Sequence, residues 1–498
     1  MSTQRSSVRD WIKSHPFIIC LALVILLSIF LRFYNLGTES VWLDEVESIR
    51  ESGLSIQGIA NSANQPPLYF LLLRGWISLF GTSEIAIRSL SAIFGVSTVI
   101  VIYITGNALI NKRVGLIGAF LSSFSYFLIF HSQDARAYSL LVLLSTLSYW
   151  FFIQIFKTDK KRFYAAYIIC SILLIFTHFY SLFIIASQIL FFLIFIKKYT
   201  VQRLKYAITV GILIAAMIPM LLLLKNNILS IANNGFWISE PENLGILNTL
   251  IGFSGIGATK YVVFAIFLIC AVWGLITINK SKEKLSKTKL KEIKKKSSGY
   301  RKLESLEVMT LLLLWLFIPI LVPFIESRLM TPIYQAKYVI GTFPALCLLV
   351  SNGLDNIKWE WVFYPVLALI VIFSSFGLSD YYKYDVNEQW RETARFIESN
   401  SQSDDIIVFC ESYYQRPFNY YYKGSNKEEG FNSVEEAQGF INSAEGIALK
   451  NQGRLWLILA YNKSQIYTLF ENTYGKDAVK SVHQYTGITI ILFNSSGS

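Results

Sequence analysis

Acidic, basic and aromatic residues recur in short clusters along this chain, each set between long apolar runs. Trp42-Leu43-Asp44-Glu45 follows the first run. Next come Asn64-Gln65-Pro66-Pro67-Leu68-Tyr69 with Arg74 beyond it, then Glu84 and Arg88. His131-Ser132-Gln133-Asp134-Ala135-Arg136-Ala137-Tyr138, His178-Phe179-Tyr180, and Glu326, Arg328 and Lys337-Tyr338 complete the set. A carboxylate beside a cavity can take the proton of an incoming hydroxyl. Arg and Lys can hold a phosphate and stabilise the charge that develops as it leaves. Such a mixture suits transfer from a lipid phosphate to a hydroxyl. It suits nucleotide chemistry poorly, because the chain has no Gly-rich phosphate loop and no G-x-x-x-x-G-K-[ST]. His131 and His178 with Asp44 and Asp134 could also hold a divalent ion, since imidazole and carboxylate are usual ligands. Their spacing carries no metal signature, and either His could equally be an interfacial side chain bonded to backbone.

The elements that position these clusters are membrane spans. The chain of 498 residues is 53% hydrophobic and only 16% charged, with a mean hydropathy of +0.46. This excludes disorder, a coiled coil and a single soluble domain. Apolar runs at roughly 15–33, 84–106, 114–130, 137–156, 163–178, 179–196, 206–224, 260–279, 307–325, 338–353 and 359–377 predict a bundle of about eleven transmembrane helices. The run Gln65 to Gly81, opened by two prolines and broken by Arg74, reads as an interfacial helix. Residues 1–379 carry 34 Lys/Arg against 18 Asp/Glu, and residues 380–498 carry 11 against 15. The net charge of +12 therefore marks topology rather than nucleic acid. With a cytoplasmic N-terminus behind a retained first span (basic flank Arg5, Arg9, Lys13), four basic clusters fall inside. They are Lys112/Arg113, Lys157–Arg162, Lys197–Lys205 and Lys280–Lys302, the last reading as a solvated topology anchor. All the polar clusters named above then fall outside, where they could converge on one cavity. The five cysteines show no disulfide or zinc spacing.

The expected domains are 1–379 in the membrane, with a first outer loop 34–83, and 380–498 as a small extracytoplasmic α/β domain. In the latter, 387–400, 433–443 and 464–474 read as helices and 406–410, 455–460 and 488–493 as strands. Asn462-Lys463-Ser464 and Asn494-Ser495-Ser496 match the N-glycosylation pattern.

At the polar clusters the sequence resembles the GT-C-fold, polyprenyl-phosphate-dependent glycosyltransferases, the group containing protein O-mannosyltransferases and lipid A aminoarabinose transferases. The resemblance covers residues 15–200 well and the remainder by layout. The family's first-loop Asp-Glu is matched by Asp44-Glu45, its Pro-Pro-hydrophobic-Tyr stretch by Gln65–Tyr69, and its Phe-Gly turn by Phe80-Gly81. Its acid and Arg entering the second span are matched by Glu84 and Arg88, and its Gln-Glu-Ala-Arg-hydrophobic-Tyr loop by Gln133–Tyr138. Its His-Tyr turn corresponds to His178–Tyr180, and its Arg-Tyr before a Pro-containing span to Lys337-Tyr338 and Pro344. Gln65 stands where related enzymes often carry His or Lys, Asp134 replaces Glu, and Lys337 replaces Arg, keeping a cation but losing its bidentate fork. The resemblance implies a polyprenyl-phosphate-linked sugar donor, a glycan, lipid or protein acceptor, and no certain cofactor. It implies an inverting reaction with Asp44 as base, supported by Glu45 and Asp134. Arg74, Arg136, Arg328 and Lys337 would cradle the phosphate, with Gln65, Tyr69, Arg88, His178 and Tyr338 in the substrate site.

Each residue also has a plainer reading. Asp44 and Glu45 could open a helix, Asp134 could pair with Arg136, Arg74 could snorkel, and Glu84 and Arg88 could be a helix pair. Arg328 and Lys337 could simply flank spans. A transporter or lipid flippase is the competing class, but it would place charges near mid-membrane and show paired repeats. The layout is checked on intact cells with single cysteines replacing Lys160 and Asp404. A membrane-impermeant maleimide should label position 404 directly and position 160 only after lysis; the reverse pattern refutes it.

Overall fold

The computed structural model describes residues 15–61, 65–234, 238–284, 301–461 and 464–495. Arg5, Arg9, Lys13, Asn64, positions 285–300 of the basic run, Asn462, Lys463 and Ser496 lie outside the described residues. The chain divides into two compact units. One comprises Met1–Tyr34 and Glu51–Asp380, the other Asn35–Arg50 and Tyr381–Ser498. The sequence layout puts residues 34–83 with the spans; by contact, 35–50 keep company with the tail.

The first unit is helical. Its elements are α1 (Pro16–Phe33), the end of α2 (Leu43–Gly53), α3 (Ile56–Asn61), α4 (Leu68–Phe80), α5 (Glu84–Leu109), α6 (Lys112–Ser123), α7 (Tyr126–Ser132) and α8 (Tyr138–Thr158). They continue with α9 (Lys161–Ile175), α10 (Ser181–Ile194), α11 (Arg203–Asn234), α12 (Gly245–Phe253), α13 (Thr259–Lys284) and α14 (Ser305–Leu329). A 3₁₀ turn (Ala336–Thr342) then leads into α15 (Phe343–Asp355), and α16 (Glu360–Lys383) follows. Among the described residues eight helices are long and apolar enough to span, or nine if the bent pair α6–α7 is one span. The remaining two of the eleven expected spans are present as shorter helices. The expected spans 163–178 and 179–196 fold as α9 and α10, of 15 and 14 residues. At 1.5 Å per residue they are about 21–23 Å long, short of a bilayer core of about 30 Å. The turn His178–Tyr180 takes up the residues between them. The stretch read as interfacial forms α4, with Tyr69, Phe70 and Leu73 on its buried face. It stops at Gly81, whose φ of 81° suits glycine and whose N–H donates to Ile77 O.

Hydrogen bonds bring the basic loops to one end of this bundle. Glu307, fully buried, pairs with Lys198 at 3.1 Å and Arg301 at 3.2 Å and accepts from the Tyr199 hydroxyl. Arg301 N–H donates to Lys157 O, and Arg113 pairs with Asp355. A buried carboxylate needs such partners, since desolvation alone would cost several kcal/mol.

The second unit holds α17 (Trp390–Asn400), β1 (Ile406–Cys410), α18 (Gln415–Tyr421), β2 (Lys427–Phe431), α19 (Val434–Ile441), α20 (Ala444–Gln452), β3 (Arg454–Ala460), α21 (Ser464–Tyr474), β4 (Val479–Tyr485) and β5 (Ile488–Asn494). The sheet order is β2-β1-β3-β5-β4, with β2, β1 and β3 parallel and β5 antiparallel to β3 and β4. The strands read from sequence are the central ones, and β1 and β3 are buried on both faces and hence continuously apolar. Ile406, Val408, Leu455 and Leu457 pack one side with Phe470; Ile407, Phe409, Trp456 and Ile458 pack the other with Trp390, Ala394 and Ile397. The edge strands β2 and β4 were not anticipated. Their sequences, KEEGF and VKSVHQY, keep charge at the sheet edge, which blunts edge pairing and hides the strand pattern.

Helices α13 and α15 approach through Gly274 and Gly353. A Cβ on Gly353 would overlap the Cys270 carbonyl oxygen, and one on Gly274 the Leu349 carbonyl oxygen. Gly353→Leu should lower detergent-solubilised stability by roughly 2–4 kcal/mol, because overlap with backbone cannot be relieved by a rotamer change. An unshifted thermal unfolding curve refutes this packing.

Candidate functional site

The polar clusters of the first unit converge at the end of the bundle away from its basic loops. The turn Gln133–Ala137 joins α7 to α8, and Arg136 N–H donates to Asp134 O at 2.7 Å. Gln133 donates to the carbonyls of Arg32 (3.1 Å) and Tyr34 (2.8 Å), tying the turn to the end of α1. Leu68 N–H donates to Phe176 O at 2.9 Å, which brings the Pro-Pro stretch to the His178 turn. The Tyr69 and Ser91 hydroxyls bond at 2.9 Å, and Ser91 donates to Arg136 O at 3.3 Å. Three clusters far apart in sequence are thereby linked.

Aromatic rings build the centre. Tyr138 and Tyr338 stack at 6.3 Å, and the Lys337 ammonium lies 5.7 Å from the first ring and 5.9 Å from the second. At these ranges ring faces attract a cation. His178 lies 5.0 Å from Tyr338, Tyr180 5.3 Å from Tyr338, and His131 5.0 Å from Tyr138. His131, Asp134, Arg136, Tyr138 and His178 are all buried. Ser139 donates to His131 O at 2.8 Å, while His131 Nδ1 has no hydrogen-bond partner among the described residues. His178, in the turn outside the spans, is pushed down to about 3 by burial, with Arg136 and Lys337 adding to the shift. Its Nδ1 accepts the Tyr180 N–H at 3.2 Å, as a neutral imidazole can.

Not every expected cation joins this centre. Arg74 is exposed and donates to Leu54 O at 2.6 Å. Arg328 is turned to residues 240–243, pairing with Glu240 at 2.7 Å and donating to Pro241 O and the Asn243 side chain. Arg88 is buried on α5, one turn before Ser91; Glu84 and Gln65 are half-buried. Sequence reasoning missed Arg32, fully buried, which donates to Ser28 Oγ and to the Ser122 and Ser123 carbonyls. The signal was available: an Arg in an apolar run with Ser one turn earlier.

Asp44 and Glu45 belong to the second unit. Ser40 donates to Glu392 at 2.9 Å, Val41 N–H to the Tyr421 hydroxyl at 2.7 Å, and Arg416 to Glu47, stitching 35–50 to the tail. Glu45 is fully buried and accepts the Trp42 N–H at 3.4 Å, holding the start of α2 as an N-terminal acid can. Asp44 is half-buried beside it. Tyr461, just past β3 with φ 51°, donates to Glu388 Oε1 at 2.5 Å. Its hydroxyl is held above its ordinary range by burial, then by the bond to Glu388 and the charges of Glu388 and Asp44. Among the described residues no three His, Cys, Asp or Glu side chains group closely enough to hold a metal.

Residues 64–222, just under a third of the chain, match the family model described as dolichyl-phosphate-mannose-protein mannosyltransferase. A curated relative from Aquifex aeolicus (strain VF5), described as an uncharacterized protein, is 25% identical over 166 residues, covering 31% of this chain and 33% of its own length. The chain thus spans about a third of the curated relative it matches. ArnT from Cupriavidus metallidurans in the apo state aligns at a TM-score of 0.61 and 11% identity, over 98% of this chain and 100% of that one. Its form bound to undecaprenyl phosphate aligns at 0.58 and 11% identity, over 97% and 99%. The oligosaccharyltransferase AglB from Archaeoglobus fulgidus, in complex with an inhibitory peptide and a dolichol-phosphate, aligns at 0.56 and 10% identity, over 97% and 74%.

The His178 shift has a stability consequence. The imidazole titrates near 6.5 when unfolded and near 3 when folded. Between those values the unfolded chain binds the extra proton, so stability is complete above about pH 6.5 and falls as pH drops, by about 1.4 kcal/mol per unit. His178→Gln should flatten this slope in unfolding measured between pH 7 and 4. Identical slopes would refute the assignment.

Proposed function

Because the chain has the GT-C fold, shared with ArnT and AglB, we propose that it is an integral-membrane glycosyltransferase moving a sugar from a polyprenyl phosphate to a hydroxyl acceptor. The observation that carries this reading is the cationic and aromatic centre around half-buried Lys337 and buried Arg136 and His178. Two cations facing a neutral imidazole form a place for an anion, and a lipid phosphate is the anion that such a bundle can receive from the membrane. The family match over 64–222 supports the same class.

In the proposed reaction Asp44 takes the proton of the acceptor hydroxyl. The oxygen attacks the anomeric carbon from the face opposite the phosphate. The bond from that carbon to the phosphate oxygen breaks, the electron pair leaves with the lipid phosphate, and the configuration inverts. Lys337 and Arg136 stabilise the leaving charge, as fixed cations do where charge develops. Neutral His178 can donate from Nε2 without adding charge. Tyr69, Tyr138 and Tyr338 offer faces and hydroxyls to the sugar, and Asp134 is assigned to acceptor contact. Glu45 supports Asp44 through the start of α2. Arg74, Arg328, Gln65 and Arg88 are assigned to the approach of the donor headgroup. The orientation supported by the charged loops puts the N-terminus in the cytoplasm and the reaction at the outer face of the cell membrane.

Asp44→Asn should keep its expression and fold, since Asn also suits a helix start. It should lose transfer from a sugar-loaded polyprenyl phosphate by at least about 100-fold, the usual scale for a missing general base. Unchanged transfer in a radiolabelled-sugar assay would remove the mechanism.

A further inference from the structure

At the basic end of the first unit, a helix length along α15 from the Lys337 centre, two cavities adjoin. The larger, about 480 Å³, is apolar. Ile266, Ile269, Cys270 and Trp273 of α13 and Val362 and Val366 of α16 form its walls. The smaller, about 270 Å³, is polar, with Asn111, Thr277, Ser305 and Asn352 among its lining. Asn356 lines both. Helices α13 and α16 are only 33% and 22% buried along their spanning windows, so the apolar cavity opens between two lipid-facing helices. Trp359, Trp361 and Tyr364 beside it are exposed by 63%, 75% and 61%, as belt aromatics at a headgroup boundary are.

Charge decides the occupant. Lys358 stands at the apolar cavity and Lys302 at the polar one, both exposed. Among the described residues neither ammonium makes an ion pair. Asp355, which also lines the polar cavity, accepts from Asn111 at 2.8 Å and pairs with Arg113 at 3.2 Å, so its charge is already met.

We propose that this paired cavity binds one anionic phospholipid, an acyl chain between α13 and α16 and the phosphate headgroup toward Lys302, Lys358 and Asn356. The apolar walls exclude water and take hydrocarbon, and two exposed ammonium groups favour a net-negative headgroup over a zwitterionic one. This lipid is distinct from the sugar donor, and the proposal stands whether or not the transferase reading holds.

The test uses the full chain in mixed micelles with equimolar palmitoyl-oleoyl phosphatidylglycerol and phosphatidylcholine, counting lipid retained per protein by mass spectrometry. Wild type should retain phosphatidylglycerol over phosphatidylcholine by at least about fivefold, the scale of one lysine at a membrane surface. Raising the salt to about 1 M should erode the preference. The double variant Lys302→Gln, Lys358→Gln should bring it to parity, with thermal unfolding in lipid-free detergent unchanged. Val366→Trp, which fills the apolar cavity, should lower retention of both lipids. Parity in wild type, or a preference that survives the double variant, overturns the proposal. So does displacement of phosphatidylglycerol by an equal concentration of undecaprenyl phosphate.

Discussion

Burying ionisable groups at one end of an apolar bundle is the constraint around which the first unit is organised. In hydrocarbon an unsatisfied charge or backbone group costs several kcal/mol, so each must find a partner inside the protein. Arg32 solves this with Ser28 and two carbonyls of the α6 end. Gln133 solves it with the last carbonyls of α1. Lys337 lies over aromatic faces, and His178 stays neutral. These solutions cross-link α1, α4, the α7–α8 turn, the α9–α10 turn and the 3₁₀ segment before α15. The same bonds that make the polar residues tolerable also fix the positions of Tyr69, Arg136 and Tyr138.

The opposite end obeys the same rule with a different outcome. Glu307 is enclosed by Lys198, Arg301 and Tyr199, and Asp355 by Asn111 and Arg113, so those carboxylates are satisfied within the protein. Compact pairing there locks loops. At the Lys337 end, cations and neutral imidazole outnumber buried acids in the cluster, which is an arrangement able to accept an anion from elsewhere. The second unit is a separate piece of physics: a sheet with two apolar faces, covered by helices on both sides, to which residues 35–50 are attached by side-chain bonds rather than by apolar packing alone.

Much of the fold was legible because its signals are local. Long apolar runs specify helices, and basic loops specify their alternation. Trp390, Ala394 and Ile397 mark the buried face of α17, and the continuously apolar runs mark the central strands. What escaped is also physical. The edge strands β2 and β4 are stabilised by neighbours, not by their own pattern. Helices α9 and α10 are shorter than the apolar runs that code for them because the His178 turn takes residues between them. Arg74 and Arg328 carry the charge expected of phosphate ligands, and each also bonds a nearby loop, a partner that no local pattern shows.

By itself the sequence determined the class of molecule, the order of its helices, the sign of charge at each turn and the inventory of groups able to do chemistry. These depend on transfer free energies and short-range backbone preferences, which composition and spacing carry. Only the tertiary structure decided that Tyr69, Arg136, Tyr138, His178 and Lys337 share one centre, and that the Asp44 segment is bonded to the tail. Those choices rest on contacts between residues tens to hundreds of positions apart, and no local preference encodes which distant partner satisfies a buried donor.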